Sequence, residues 1–225
     1  MIENVFITGA HGDIGKSIRE IFLLNGFNVI SPSSLELDLS NASSIDNYFS
    51  KNNLRISILI YCAGINDPKS FNLVTETDVL KTMEVNTFSF FRLIQRVTPF
   101  MIEENRGYIA GISSLYSFLG RNGRIPYAMS KHAMNGLMKT LAIELGCYNI
   151  LVNNISPGIV DTELTRKNNS QEKIRLFEQM IPLARLATPN DIAEIVYFLC
   201  SAKNRYITGQ NIVVDGGFSI GGFQN

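Results

Sequence analysis

Tyr127 and Lys131 stand four residues apart, at the head of an apolar run that recurs with helical period through Ala128, Met129, Ala133, Met134, Leu137, Met138 and Leu141. On a helix, positions i and i+4 share a face, so a phenol and an ammonium can point at one spot. A free tyrosine titrates near pH ~10, and a cation held beside it favours the phenolate, bringing its proton within reach of neutral chemistry. Tyr127 is thus a candidate general acid or base. Ser114, thirteen residues earlier in Ile112-Ser113-Ser114, offers a hydroxyl to hold a carbonyl or alkoxide oxygen against that phenol, provided the fold returns it to the same place. Alone, Tyr-x-x-x-Lys also fits a solvated surface helix, so the surrounding elements have to decide.

Those elements alternate between strand and helix. Val5-Phe6-Ile7 reads as a strand running into Thr8-Gly9-Ala10-His11-Gly12-Asp13-Ile14-Gly15, after which Ile18, Ile21, Phe22 and Leu24 recur at helical spacing. A glycine turn between a first strand and a first helix brings backbone amides and the helix dipole to a pyrophosphate. A tight turn under a close-packed helix is the plainer alternative. Asn28-Val29-Ile30 is a second strand, ending in Ser31-Pro32-Ser33-Ser34. At that place a carboxylate marks many NAD sites, whereas Arg or hydroxyl groups mark sites for a 2′-phosphate. Serines without a carboxylate tilt the expectation toward NADP over NAD, although a polar turn around Pro32 fits equally well.

Asp38 and Leu39 follow, Asp38 either contacting adenine or standing as a loop carboxylate, with Ser40 or Asn41 capping a helix through Ile45 and Phe49. Ile56 to Tyr61 is an almost unbroken apolar run of the kind a parallel strand needs when both its faces are covered. Cys62-Ala63-Gly64 then permits close backbone approach to a ligand. A long apolar helix from Val79 to Ile94 contains Asn86, whose amide needs partners, either a neighbouring strand or a site. Tyr108 to Ile112 is a strand ending at Ser113-Ser114, and Leu151 to Ile155 is another, ending in Ser156-Pro157-Gly158 with Thr162 just beyond. Residues 162–187 read as a flap over substrate, Pro189 opens a helix, and Ile212 to Val214 is the last strand. The pattern predicts one α/β domain over residues 1–225: a Rossmann-like, doubly wound parallel sheet with helices on both faces.

Composition bounds the partners. The 225 residues are 45% hydrophobic and carry 20 acidic and 20 basic side chains, which suits one well-buried domain and offers no basic excess for nucleic acid or a membrane surface. Cys62, Cys147 and Cys200 are odd in number and far apart, which argues against a disulfide framework or a metal site and reads as buried thiols in a reducing compartment. The N-terminus has no basic segment and long apolar core of a signal peptide, and no apolar run approaches the ~20 residues of a membrane span. A soluble, cytoplasmic protein is expected.

Taken in order, Thr8-Gly9 with Gly15, Asp38, Ala63-Gly64, Asn86, Ser114, Tyr127 with Lys131, Pro157-Gly158 with Thr162, and Thr208-Gly209-Gln210 running into Val214-Asp215-Gly216-Gly217 resemble the short-chain dehydrogenase/reductase family of the classical type, over essentially the whole chain. The C-terminal segment is similar to the branch of 3-oxoacyl thioester reductases and many sugar and polyol dehydrogenases. The resemblance implies hydride transfer between the nicotinamide of NADP or NAD and a small carbonyl or secondary alcohol. Tyr127 would exchange the proton, Ser114 would position the substrate oxygen, Lys131 would depress the tyrosine pKa and bind the nicotinamide ribose, and Asn86 would hold a water in the proton relay. Thr162 and the backbone after Pro157 would fix the carboxamide. A homo-oligomer, tetramer or dimer, is implied as well, with the apolar helix faces and the Phe218 to Phe223 tail as candidate interface.

Three departures from the family pattern stand out. Asp13 occupies a glycine position, while Gly12 falls where the extended branch has its middle glycine; Tyr61-Cys62 replaces an Asn-Asn pair; and the connection from the second strand to Asp38 is too short for the usual helix. Two other functions compete: an extended-type nucleotide-sugar epimerase or dehydratase, which needs a further substrate domain, and a non-catalytic cofactor sensor, in which a damaged tetrad is expected. Arg121 and Arg124, just before Tyr127, either bind an anionic group or form a solvated loop.

Overall fold

A computed structural model describes residues 3–221. Six parallel strands, β1 (Asn4–Thr8), β2 (Asn28–Ile30), β3 (Ile58–Tyr61), β4 (Gly107–Ile112), β5 (Ile150–Pro157) and β6 (Asn211–Val214), lie in the order β2-β1-β3-β4-β5-β6. Their side chains divide by parity. Val5 and Ile7, Ile58 and Ile60, and Tyr108, Ala110 and Ile112 enter one apolar core, while Phe6, Leu59, Tyr61 and Ile109 enter the other. Successive strand residues point to opposite faces, so strands this apolar require cover on both. Helices α1 (Asp13–Leu24) and α8 (Pro189–Leu199) cover the first face. The second is covered by α2 (Ala42–Lys51), α4 (Ser89–Glu103) and α5 (Ile125–Leu145).

Strand order reverses next to β1, with β2 on one side and β3 on the other, and this switch point opens a crevice at the carboxyl ends of the strands. Between β2 and α2 the chain makes only a turn, in which Leu37 N–H donates to the Ser33 carbonyl at 2.9 Å, so no helix intervenes and β2 forms the sheet edge. Asn41, the second of the two proposed caps, closes α2 by accepting the Ser43 N–H at 3.0 Å.

The apolar stretch around Asn86 is not one regular helix. It is α3 (Glu76–Met83), a π turn over Glu84–Phe88, and then α4. The wide turn withdraws the Val85 carbonyl from the α-helical ladder, and the Tyr61 hydroxyl and Ser89 Oγ (2.8 Å) donate to it instead. Burial drives the Tyr61 phenol far above its ordinary pKa, so it remains a neutral donor. Residues 162–187, where a flap is expected, fold as α6 (Glu163–Asn168) and α7 (Gln171–Met180) with the turns around them. This segment closes on a bridge between Val160 and Ala187 and carries its own apolar cluster of Ile174, Ile181 and Leu186. Phe218, in the short α9 (Phe218–Gly221), packs against that cluster, whereas Phe223 of the proposed interface tail lies outside the described residues. One expectation is corrected: Cys200 is buried and Cys62 partly so, but Cys147 is exposed in the turn after α5, a distinction that spacing alone does not carry.

Phe90 stacks on Tyr61, ring centroids 4.4 Å apart, and both are fully buried. Phe90→Ala should cost about 3–5 kcal/mol, the usual loss for a large core aromatic. A denaturant titration should show this as a lower midpoint at unchanged slope.

Candidate active site

The glycine turn is shaped by contact. Gly9 has φ +68°, and a Cβ there would lie 2.7 Å from the Ala63 nitrogen; a Cβ on Gly15 would collide with the Gly9 carbonyl. Only glycine lets the end of β1, the exit of β3 and the first turn of α1 approach this closely. Gly12 caps α1 without a side-chain bond. The amides of Asp13, Ile14 and Gly15 are therefore the partnerless donors of a helix start, turned to the cleft. Thr8 stands behind the turn, its hydroxyl accepting the Ala63 N–H at 3.3 Å. Asp13 keeps its backbone in the turn but sends its carboxylate across to the flap, accepting the Glu163 N–H at 2.7 Å.

A cleft of about 940 Å³ runs from this turn to the flap. His11 through Gly15, Cys62, Ala63 and Gly64, Ser114, Tyr127 and Lys131, and Pro157, Gly158 and Thr162 all line it. Five of the expected residues lie away from its wall: Thr8, Ser33, Asp38, Leu39 and Asn86 are not among the lining residues. Ser33 donates through both N–H and hydroxyl to Glu36, at 2.8 Å each, and the proximity of His11 further favours the Glu36 carboxylate. Asp38 accepts from the Ser40 N–H and hydroxyl, which hold its carboxyl below the usual range. Thr162 caps α6 by accepting the Thr165 N–H at 3.1 Å.

Asn86 is completely buried beneath the cleft floor. Its Oδ1 accepts the Ile65 N–H at 2.8 Å, and its Nδ2 donates to the Ile65 carbonyl at 3.0 Å and to Ser130 Oγ at 2.9 Å. One amide thus clamps the exit of β3 and the first turns of α5, where Tyr127 and Lys131 sit. Lys131 is 3% exposed, donates to the Ile112 carbonyl at 2.7 Å, and holds its ammonium 5.6 Å from the centre of the Tyr127 ring. Tyr127 is half-buried. Desolvation raises its pKa, while a hydrogen bond with Ser114 and the Arg124 guanidinium pull the other way. Of the groups pulling the Tyr127 pKa down, Ser114 acts first, while the nearby Lys131 ammonium is held at the Ile112 carbonyl. Burial lowers the Lys131 pKa to about 8, and it pushes the Cys62 thiol up to about 12.

Sequence reasoning missed several groups here. Ser113 has a buried hydroxyl with no partner in the protein, and Asn66 and Tyr116 line the cleft from loops with no recognisable motif. Arg121 and Arg124 line it too, rather than forming only a solvated loop.

Residues 4–219 match a protein-family model described as enoyl-(acyl carrier protein) reductase. A 3-oxoacyl-acyl-carrier-protein reductase of Aquifex aeolicus is 36% identical over 216 residues, covering 95% of this chain and 86% of that one. A 4-hydroxyisoleucine dehydrogenase mutant solved with NADH and succinate aligns with a TM-score of 0.92 at 32% identity, covering 97% of this chain and 99% of its own. ElxO solved with NADP aligns with a TM-score of 0.88 at 27% identity, again over 97% and 99% of the two chains.

The Lys131 ammonium gives a direct test of site electrostatics. Its folded pKa lies below its ordinary 10.5, so the charged form bears a burial cost of about 3 kcal/mol below pH ~8 that is relieved as pH rises toward 10.5. NMR titration of carbon-13 lysine, assigned with Lys131→Met, should show a midpoint near 8 that rises when an anion enters the cleft. A midpoint of 10.5 would contradict the burial.

Proposed function

Because this chain belongs to the short-chain dehydrogenase/reductase family and is an NAD(P)-dependent oxidoreductase of its 3-oxoacyl-reductase-like branch, we propose that it interconverts a small carbonyl compound and its secondary alcohol, with Tyr127 as general acid and base. The observation that carries this reading is the convergence of Ser114, Tyr127 and Lys131 in one cleft with the amides of the glycine turn. The residues fit the cofactor. Close approach at Gly9 and Gly15, free first-turn amides on α1 and the orphaned Ser113 hydroxyl suit a ligand rich in anionic and hydroxyl oxygens. The turn from Gly9 to Gly15 would hold the pyrophosphate, Ala63 and Gly64 would admit the ribose, and Pro157, Gly158 and Thr162 would bound the nicotinamide end.

When bound, the nicotinamide gives or takes the hydride. The protein's part is orientation and proton transfer. The Ser114 hydroxyl donates to the substrate oxygen, and Tyr127 Oη delivers its proton to that oxygen in reduction and recovers it in oxidation. The Lys131 ammonium, held at the Ile112 carbonyl, supports the phenolate as it forms. Asn86 acts from beneath, through Ile65 and Ser130, and its place in a proton relay rests on the family resemblance.

Other readings are less well supported. The match to a 3-oxoacyl-acyl-carrier-protein reductase across 86% of that protein's length favours a reductase over an extended-type epimerase, and an intact Ser-Tyr-Lys set argues against a mere sensor. Exposed Phe88 and Phe91 on the π turn and α4, with Met129 and Ile143 on α5, support a homo-oligomer. Three unpaired thiols favour a reducing, cytoplasmic setting.

Two measurements test the reading. Tyr127→Phe should lower kcat by about 10²–10⁴, the range of a lost general acid, while a nicotinamide fluorescence titration with NADH and NADPH shows cofactor binding retained; loss of binding instead would make Tyr127 structural. Glu36, engaged with Ser33 at the sheet edge, should discriminate between the two cofactors by repelling a 2′-phosphate. Glu36→Ser should move the NADPH to NADH affinity ratio toward NADPH by about tenfold. An unmoved ratio would remove Glu36 from the cofactor site.

A further inference from the structure

Several arginines of this protein have carboxylate partners. Arg92 pairs with Glu84, Arg96 with Asp46, Arg106 with Glu3, Arg166 with Asp161 and Arg185 with Asp191. The cations of the cleft do not. Arg121, Arg124, Lys167 and Lys173 line it, and among the described residues none of the four lies within salt-bridge distance of a carboxylate. Arg124 is the most enclosed of the four and the nearest in sequence to the chemistry. It stands at the N-cap of α5, three residues before Tyr127, and donates to Asn66 Oδ1 at 2.7 Å. Arg121 donates to the Tyr116 hydroxyl, and the Tyr116 ring meets the Tyr127 ring edge-on at 6.3 Å. Lys167 and Lys173 face the same space from α6 and α7.

The carboxylates of the cleft do not offset this charge. Asp13 and Glu163 lie toward α1, where both also line a smaller neighbouring cavity with Lys16 and Glu20, and Asp13 is already committed to the flap. Arg124 is partly desolvated, and the neighbouring Arg121 guanidinium adds to the cost of its charge. An anion brought to this end of the cleft would offset that cost. A planar guanidinium matches a carboxylate in two parallel hydrogen bonds. Three residues of helix place the Arg124 backbone about 5 Å along the axis from Tyr127, and both side chains line the same cleft, which suits a ligand carrying its anion and its carbonyl close together.

We propose that the substrate is a short oxo acid or hydroxy acid whose carboxylate is held by Arg124, with Arg121 beside it, at the flap-covered end of the cleft. This rests on the oxidoreductase reading above. In the reductive direction the carbonyl carbon gains a hydride from the reduced nicotinamide, the carbon–oxygen π pair takes the proton of Tyr127, and the products are the hydroxy acid and the oxidised cofactor, the phenolate being reprotonated from water.

The test uses the full-length protein with each cofactor and matched pairs of short 3-oxo and 4-oxo acids and their methyl esters. The wild type should prefer the acids, and succinate should inhibit turnover where dimethyl succinate and inorganic phosphate do not. In Arg124→Gln the acid-to-ester ratio of kcat/KM should fall about 100-fold, chiefly through the KM of the acid, as expected when one partner of a desolvated charge pair is removed. Arg124→Lys should recover part of that ratio. Equal use of acids and esters by the wild type, an unmoved ratio in Arg124→Gln, or phosphate inhibiting as strongly as succinate would each overturn the carboxylate assignment and leave the oxidoreductase standing. Turnover of neither acids nor esters by protein shown to bind cofactor would overturn the oxidoreductase reading, and this one with it.

Discussion

The side-chain amide of Asn86 joins parts of the site that are far apart in the chain. Fully buried, it has to satisfy its donors and acceptor inside the protein, because an unpaired amide there would cost about 1–3 kcal/mol for each lost bond. It does so with the Ile65 backbone and the Ser130 hydroxyl. The exit of β3, which would receive a ribose, is thereby tied to the turn of α5 that carries Tyr127 and Lys131. The π turn is what aims the amide there, since it interrupts the α-helical ladder just where Asn86 has to leave the helix line. Its freed Val85 carbonyl is met by Tyr61, the aromatic that stands where relatives of the family carry asparagine. The departure at Tyr61 therefore has a structural reason: the phenol supplies the donor that the wide turn demands.

Around this frame the site is built with unmet electrostatic demands. A buried ammonium is held by one carbonyl, a desolvated phenol sits near it, and a buried serine hydroxyl has no partner. In a core such groups would be defects. At the carboxyl ends of parallel strands, beside a helix start with free amides, they are the complement of an anionic, hydroxyl-rich ligand whose binding returns the cost. Charge is arranged by position rather than by excess: the chain is neutral overall, yet Arg121, Arg124, Lys167 and Lys173 line one cleft without a carboxylate partner among the described residues.

Asp13 shows how a change at the glycine turn is absorbed. A side chain at the first position of α1 would be expected to crowd a phosphate, but its carboxylate turns outward and grips the first amide of α6. The turn keeps the two glycines at which contact forbids any side chain, Gly9 and Gly15. The same link joins the glycine-turn end of the cleft to the start of α6.

Much of this protein was legible in its sequence, because parallel strands buried on both faces write themselves as apolar runs, and the glycine turn, Ser114 and the Tyr127-Lys131 pair lie within or next to such runs. Alternation of strand and helix placed them on one edge, and the short second connection already foretold a sheet without its usual outer helix. What sequence could not carry was everything set by packing between distant segments. The π turn leaves no periodic trace, Glu36 is an ordinary loop residue until Ser33 folds onto it, and Asp13 is ambiguous until Glu163 arrives from 150 positions away. The arginines before Tyr127 read as solvated loop because local sequence holds no record of which carboxylates come near. Only the tertiary structure decided that none does, since pairing depends on distance in space and the cleft wall is assembled from loops that share no local pattern.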